Sequence, residues 1–561
     1  MSVSKYDVRR GAYYDSVVLM QLQRGLLELP GVIDAGVVMA TQANRDLLAA
    51  NHLLPESVTA NPDDLLIVVK ADDDISATSA IEKVDELLAR RKSSSISQDF
   101  RPRSLSGAVK QLPEANWVLI SVPGRYAAGV AREALELNKH VFLYSDNVSL
   151  EDEIALKKTA REKGLLVMGP DCGTAIINGI GLGFANRVRR GSIGVVGASG
   201  TGLQAVTTHV HNHGGGISHA IGTGGRDLKS EVGAITAHQA LDLLSRDPET
   251  NVIVLVSKPP SLEVATRLLS SAQSARKPVV VNFIGYPVSV STLDNLLFAV
   301  SLSEAARIAT SQAEDYIPED ASFDYQSPIS DRYVRGLFSG GTLAYETTLG
   351  LQAVLSPLYS NTPITESQKL TDPLHSRAHT IVDLGDDIFM VGRLHPMIDN
   401  DLRIRRLRQE ADDPEVGLIL LDVVLGEGAH PDPASEFVPV IQEIKTKTPE
   451  LVVVVIVLGT SNDPQNYASQ ANRLREAGAV IFPSVDAAVE FIAREMRRPP
   501  MQETVPLSLD SLTQPLAAIN VGLESFYDSL ISQGAQAVQV EWHPPAGGNE
   551  KLAALLQKMK K

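Results

Sequence analysis

The chain of 561 residues has a single cysteine, Cys172, which excludes an intramolecular disulfide framework and fits a reducing, cytoplasmic setting. It has no apolar run near the roughly 18 residues of a membrane span. Even Leu451 to Leu458 is only strand length, and the first ten residues lack the apolar core of a secretion signal. Long basic runs are missing too, and the formal charge is −16. A chain of this kind is not built to hold nucleic acid or a membrane surface. What is present is ample core material: 44% hydrophobic residues, enough for three to five domains at roughly 100–200 residues each.

Along the chain, residues 1–100 alternate short strands and helices, predicting a small α/β domain of ferredoxin-like type that serves packing or subunit contact. Its last helix is predicted over 76–91. A polar, serine-rich stretch, 91–99, reads as a linker. Residues 101–190 then alternate helix and strand with the spacing of a parallel, Rossmann-like sheet. One of its strands, 165–168, runs into Gly169, Pro170, Asp171 and Cys172. Loops at the carboxyl ends of parallel strands are where such folds bind ligands. Cys172 reads either as a nucleophile or as a small buried residue in a tight loop.

The stretch Gly191–Gln204 places an apolar strand before a small-residue turn and a helix. Free N–H groups and the positive end of the helix dipole then face an anion such as phosphate. Arg335–Glu346 repeats the arrangement. Behind each copy the same landmarks follow in the same order, so 191–326 and 327–498 read as two related doubly wound, flavodoxin-like domains whose helix starts share one cleft. An insertion at 355–378 reads as a surface excursion. The anion cradle comprises Ser199, Gly200 and Thr201 with Ser339, Gly340, Gly341 and Thr342. Serine at these positions equally serves as an ordinary helix cap. Residues 499–561 form a linker and a docking tail with a strand-like segment, Trp542 and a short helix at 550–558.

The motifs Met168–Thr174, Gly224–Leu228, Ser257–Pro260, Asp383–Asp387 and Val391–Asp399 resemble those of the FdrA family of acyl-CoA-synthetase-like proteins, within the superfamily of the succinyl-CoA synthetase alpha subunit. The resemblance runs from about residue 11 to about residue 493. In the synthetase a swivelling histidine carries phosphate between two helix starts. The corresponding segment here, 285–294, holds no histidine, and Lys258 stands where the synthetase has an acidic residue. A nucleotide-grasping domain and a glycine-rich CoA loop before Trp117 are also missing. The resemblance therefore implies direct transfer between phosphate and an acyl or carbamoyl group, as in oxamate carbamoyl transfer: oxalurate and phosphate give oxamate and carbamoyl phosphate during allantoin breakdown. Phosphate or carbamoyl phosphate is then a substrate, and CoA is not required. Separate partner proteins are expected. A CoA ligase using a partner's nucleotide domain and a non-catalytic metabolite-binding protein are the alternatives.

Arg226, Lys258, Arg393 and His395 are the expected charge and proton handlers. Arg226 can instead pair with Asp227, Lys258 can be a solvated loop end, and His395 can be held by a structural hydrogen bond. As a loop histidine, His395 is expected to titrate near neutrality. Within the cluster His209, His211, His213 and His219, only His209 and His213 have the helical spacing of a ligand pair. No metal site is expected.

Overall fold

The computed structural model describes residues 2–11, 16–50, 53–55, 58–61, 64–93, 102–287, 290–313, 332–390, 393–496 and 513–542. The chain separates into a large unit, Met1–Arg497, and a small one, Arg498–Lys561.

In the large unit, strands Val3–Arg9, Val32–Met39 and Leu65–Ala71 form an antiparallel sheet with the last of them in the middle. That middle strand alternates: Leu65, Ile67 and Val69 pack on Leu19, Leu22 and Leu26 of helix Ser16–Leu27, while Leu66 and Val68 meet Leu48, Leu53 and Val58. Both faces are thus covered. The described residues give three strands, where a ferredoxin-like βαββαβ unit has four. The helix expected over 76–91 is two, Asp74–Glu82 and Val84–Ser93, the first capped by the Asp73 carboxylate on the Ser76 N–H.

The Rossmann-like unit is a three-stranded parallel sheet, Trp117–Ile120, His140–Leu143 and Val167–Met168. Its helices Gly124–Glu136 and Leu150–Glu162 bury Ala127, Ala131, Leu135 and Leu156 in its core. The hairpin Thr174–Ile177/Ile180–Gly183, which the sequence placed in this unit, joins the next sheet instead, through the pairing of Ala220 with Ile176. The division therefore falls just after the loop at Gly169–Cys172 rather than at residue 190.

The two remaining sheets share one topology. In the first, the parallel strands Arg190–Gly197, Ile217–Gly222, Val252–Ser257, Val279–Phe283 and Leu296–Phe298 lie in the order 2-1-3-4-5. In the second, Tyr333–Phe338, His379–Asp383, Val416–Val424, Val452–Leu458 and Val480–Phe482 repeat that order. This is the flavodoxin-like arrangement. The insertion at 355–378 is partly built into the fold, since Leu358–Ser360 adds an edge strand beside His379–Asp383. The two domains also share a core: Leu203 and Val206 cluster with Leu343, Ile456 and Phe491.

The small unit pairs Ala517–Val521 with Gln536–Val540 in parallel across helix Glu524–Ser532. None of its described residues is buried, in keeping with a tail that cannot form a core alone. Trp542 is exposed. The helix expected at 550–558 lies outside the described residues.

Candidate functional site

In a 2-1-3-4-5 sheet the connections from strands 1 and 3 leave to opposite sides, and the crevice at their carboxyl ends is the usual ligand position. In the first domain those ends carry Ser199–Thr201 and Lys258. In the second they carry Ser339–Thr342 and the residues after Val424.

The two helices that start there, Gly200–Asn212 and Gly341–Leu351, meet tip to tip. Ser199 Oγ and Thr342 Oγ1 are 2.5 Å apart. A Cβ on Gly340 would run into the Thr201 side chain, so only glycine allows this approach. The groups between the tips are hydroxyls rather than an apolar plug. The tips are not equivalent, however. Ser199 caps its own helix by accepting from the Gly202 N–H at 2.9 Å, whereas Gly340 leaves the second helix with no side-chain cap. Ser339 turns inward: its hydroxyl donates to Asp422 Oδ2 at 2.6 Å, and its N–H to Oδ1 at 2.9 Å. Arg403 donates to the same carboxylate at 2.8 Å.

Lys258 is exposed, yet its Nζ lies 3.0 Å from where a Gly341 Cβ would sit, and 6.0 Å from the centre of the Tyr345 ring. It is therefore directed at the uncapped helix start and is not a loop end pointing to solvent. Asp383 comes to the same point, with Oδ2 2.6 Å from that Cβ position. Its Oδ1 accepts from the Gly385 N–H at 2.9 Å. Asn361 fixes the Asp383 backbone from both sides, accepting from its N–H and donating to its carbonyl, each at 2.9 Å. Burial raises the Asp383 carboxyl to about 7 against the pull of Lys258 and of the Gly385 hydrogen bond, with Asp386 and Asp422 adding to the rise.

His395 lies close by, its Nε2 3.4 Å from a Cβ position on Gly385. It does not titrate near neutrality. Desolvation and the charge of Arg403 lower it to about 4. Its Nδ1 accepts from the Met397 N–H at 3.2 Å and its ring rests on Phe184, 4.9 Å between centres. The imidazole is thus neutral at neutral pH, with its proton assigned to Nε2 by that hydrogen bond.

Arg393 donates to Asn44 Oδ1 at 2.9 Å and lies 3.8 Å from Asp401. It clamps the N-terminal domain to the second flavodoxin-like domain. Arg405 does the same with a two-pronged bond to Asp34, 2.8 Å on each oxygen.

Arg226 does not pair with Asp227. It donates to Glu153 Oε2 at 2.9 Å and to the Val148 carbonyl at 2.8 Å. Asp227 instead accepts from Lys157 at 2.8 Å, and Lys157 also reaches Glu153 at 2.9 Å, all three side chains wholly buried. Arg226 thereby faces Asp171 and Asp387. Asp171 keeps an exposed face, yet surrounding protein, Asp387 and Asp146 raise its carboxyl to about 6, while Arg226 and Lys258 oppose the rise. Gly169 and Pro170 back this loop against Gly224, where a Cβ would strike the Pro170 carbonyl. Cys172 is buried, its Sγ 3.6 Å from the Thr174 carbonyl it donates to, and burial pushes the thiol up to about 12. That state suits packing rather than nucleophilic attack.

Among the histidines, His211 accepts from the Arg189 N–H and His219 from the Asn178 N–H. Burial lowers His209 to about 4. Asp383, Asp422 and Arg403 were not among the residues expected from sequence. Asp383 was detectable by position, since it stands at the end of the second strand of its repeat, where the first repeat has Gly222.

Three families match parts of the chain: "AllF, heavy metal-associated domain" over residues 1–102, "CoA binding domain" over 188–285 and "CoA-ligase" over 337–494. Uncharacterized protein YahF of Escherichia coli (strain K12) is 42% identical over 510 residues, 88% of this chain and 98% of that one. The chain belongs to the YahF family. It carries the CoA-binding and CoA-ligase domains of the succinyl-CoA ligase alpha-like superfamily behind an AllF-type N-terminal domain. The alpha subunit of succinate–CoA ligase [ADP-forming] from Aquifex aeolicus is 28% identical over 150 residues, 26% of this chain and 48% of that subunit. The chain thus spans about half of that relative's length. Among solved structures, the apo form of Ca. Korarchaeum cryptofilum dinucleotide forming acetyl-coenzyme A synthetase 1 aligns with 18% identity and a TM-score of 0.32, over 71% of this chain and 87% of that one.

The name of the N-terminal family implies a heavy metal. Soft metal ions select thiolates, and residues 1–102 contain no cysteine. Among the described residues no group of three His, Cys, Asp or Glu side chains is placed to hold a metal. The residues present do not fit a soft metal ion. No described helix is long and apolar enough to cross a membrane.

Proposed function

We propose that this YahF-family protein is a subunit of a phosphate-dependent acyl or carbamoyl transferase of the FdrA type. Its most specific reading is oxamate carbamoyltransferase, converting oxalurate and phosphate to oxamate and carbamoyl phosphate in allantoin breakdown, in the cytoplasm and with separate partner subunits. The AllF-type N-terminal domain supports the pathway. The observation that carries the chemistry is Lys258 Nζ held against Gly341 at a helix start without a side-chain cap. Unpaired N–H groups, the helix dipole and a lysine ammonium together favour a phosphate there. The Thr342 hydroxyl at this tip and the Thr201 hydroxyl at the facing one supply further hydrogen bonds.

In this reading phosphate oxygen attacks the carbamoyl carbon, the bond from that carbon to the amide nitrogen breaks, and negative charge gathers on the attacked carbonyl oxygen. Lys258 and the helix start stabilise it. Removing one such donor typically costs about 10²–10³-fold in turnover. Phosphate needs no enzyme-bound carrier for this, which accords with a segment 285–294 that lacks histidine. CoA is not required. The start of helix Gly124–Glu136, where a Rossmann-type domain would offer N–H groups to a nucleotide, is packed against the carbonyls of Asp146 and Asn147.

The CoA-ligase match keeps one second reading in view, an acyl-CoA ligase using a partner's nucleotide domain. The test is phosphate-dependent cleavage of oxalurate by the purified chain, alone and with the products of neighbouring genes, beside ATP- and CoA-dependent thioester formation. Carbamoyl phosphate formation supports the transferase. Thioester formation supports the ligase, and neither activity in any combination leaves a metabolite-binding protein.

A further inference from the structure

The candidate site holds a group to which the motif Asp383–Asp387 lent no role in the sequence. Asp383 ends the strand His379–Asp383 and is almost wholly buried. Its two oxygens have different surroundings: Oδ1 is tied to the Gly385 N–H, while Oδ2 faces Gly341 beside Lys258. Asn361 holds its backbone on both sides, so the carboxyl has little freedom to swing away. We propose that Asp383 is the proton relay of this site, taking a proton from bound hydrogen phosphate and delivering it to the departing amide nitrogen.

This rests on the transferase reading above and deepens it. Hydrogen phosphate and an N-carbamoyl amide yield carbamoyl phosphate and a free primary amide. One C–O bond forms, one C–N bond breaks, and the only proton that changes place goes from the phosphate to the nitrogen. No oxidant, reductant or water is consumed. A leaving amide anion is a strong base, so protonation as the bond breaks is where a general acid contributes most. Lys258 would serve poorly as that acid because its charge is needed on the phosphate, and His395 is neutral, so the proton on its Nε2 is only very weakly acidic.

The charged and titratable groups around Asp383 come from several elements: Lys258 from the first domain, Asp386 from its own loop, Asp422 from strand Val416–Val424 on the far side of Tyr333–Phe338, and His395 with Arg403 behind that. Burial, opposed by Lys258 and the Gly385 hydrogen bond and assisted by Asp386 and Asp422, leaves the carboxyl near 7, where a relay works in both directions at neutral pH.

Two measurements on the full chain test this, with Asp383→Asn and Asp383→Glu beside the native protein. In turnover with the partner subunits, Asp383→Asn is expected to lose about 10²–10⁴-fold in kcat with little change in KM for phosphate, and Asp383→Glu to recover part of it. In titrations with inorganic phosphate alone, native and Asp383→Asn proteins are expected to bind alike at about pH 6. At about pH 8 the native protein should bind more weakly, because only it gains a carboxylate beside the anion. Equal phosphate affinity of the two proteins at both pH values, or unchanged kcat in Asp383→Asn, overturns the proposal. If the native protein turns over no substrate with any partner, the transferase reading fails, and the phosphate titrations still decide whether Asp383 senses the anion.

Discussion

Gly341→Ala is the sharpest probe of the site, because it adds one carbon where three groups converge. Gly341 is the first residue of its helix and has no positive φ, so alanine meets no backbone strain. By propensity it favours the helix by up to about 1 kcal/mol. Its Cβ, however, would lie 2.6 Å from Asp383 Oδ2 and 3.0 Å from Lys258 Nζ. Ordinary contacts need roughly 3.5 Å, so the carboxyl must retreat by most of an ångström or the lysine must leave. A shift of about 1 Å in a reacting group costs on the order of 10²-fold in rate. Loss of one charge-assisted hydrogen bond from Lys258 to phosphate, about 1.5–3 kcal/mol, weakens binding by roughly ten- to a hundredfold. Calorimetric titration with inorganic phosphate reads the second effect, and turnover with the partner subunits reads both. Circular dichroism should be unchanged, and the melting temperature lowered modestly, since overpacking at a buried carboxyl costs about 1–3 kcal/mol and helix propensity offsets only part of it. A folded Gly341→Ala protein with native phosphate affinity would refute the placement of the anion.

Lys157→Met removes the cation from between Glu153 and Asp227; two carboxylates are then buried without it, and destabilisation of about 3–5 kcal/mol is expected in thermal or denaturant unfolding. Asp34→Ala deletes the two-pronged bond to Arg405, worth about 1.5–3 kcal/mol, and faster amide exchange should appear in residues 32–39 and 401–411, with no change in secondary structure. Glu346 is raised to about 8 by burial, opposed by its hydrogen bond from the Leu302 N–H and assisted by Asp486. A carboxyl whose folded value lies above its unfolded one gives stability that is full below the unfolded value and fades as pH rises through the folded one. Glu346→Gln should therefore gain in melting temperature relative to the native protein on going from about pH 5 to about pH 8; parallel curves would refute the assignment.

The repeated flavodoxin-like domains were legible because each small-residue turn is followed by the same landmarks, and alternation of strand and helix is a strong periodic signal. The hairpin Thr174–Gly183 was misplaced for the opposite reason. It is short, follows a ligand loop without an intervening helix, and gains its partner only through Ala220, a contact no local pattern encodes. Ser199 and Ser339 looked equivalent in sequence, yet each helix begins three residues after its strand ends and the serine stands one residue earlier in the second turn. Ser199 is therefore the cap in one, and Ser339 precedes the cap Gly340 in the other, free to bond Asp422. The lowered His395 depends on Arg403 and on burial, and the diversion of Arg226 to Glu153 depends on Lys157 having taken Asp227. Such competitions among buried charges arise only when separate domains come together.

The inequality of the two helix starts bears on the chemistry in a further way. In the first, Ser199 caps the Gly202 N–H, whereas the second has no side-chain cap. A swinging phosphorylated carrier must be received at two places in turn, whereas a free anion that reacts where it binds needs one open receptor. Lys258 can act as that receptor's cation only if its charge is not already neutralised. An ordinary carboxylate beside it would do so and would also repel the anion. Burial of Asp383 prevents this, since a carboxyl held near 7 spends much of its time uncharged at neutral pH. The desolvation that weakens the fold at this position is thus what leaves the lysine's charge for the ligand.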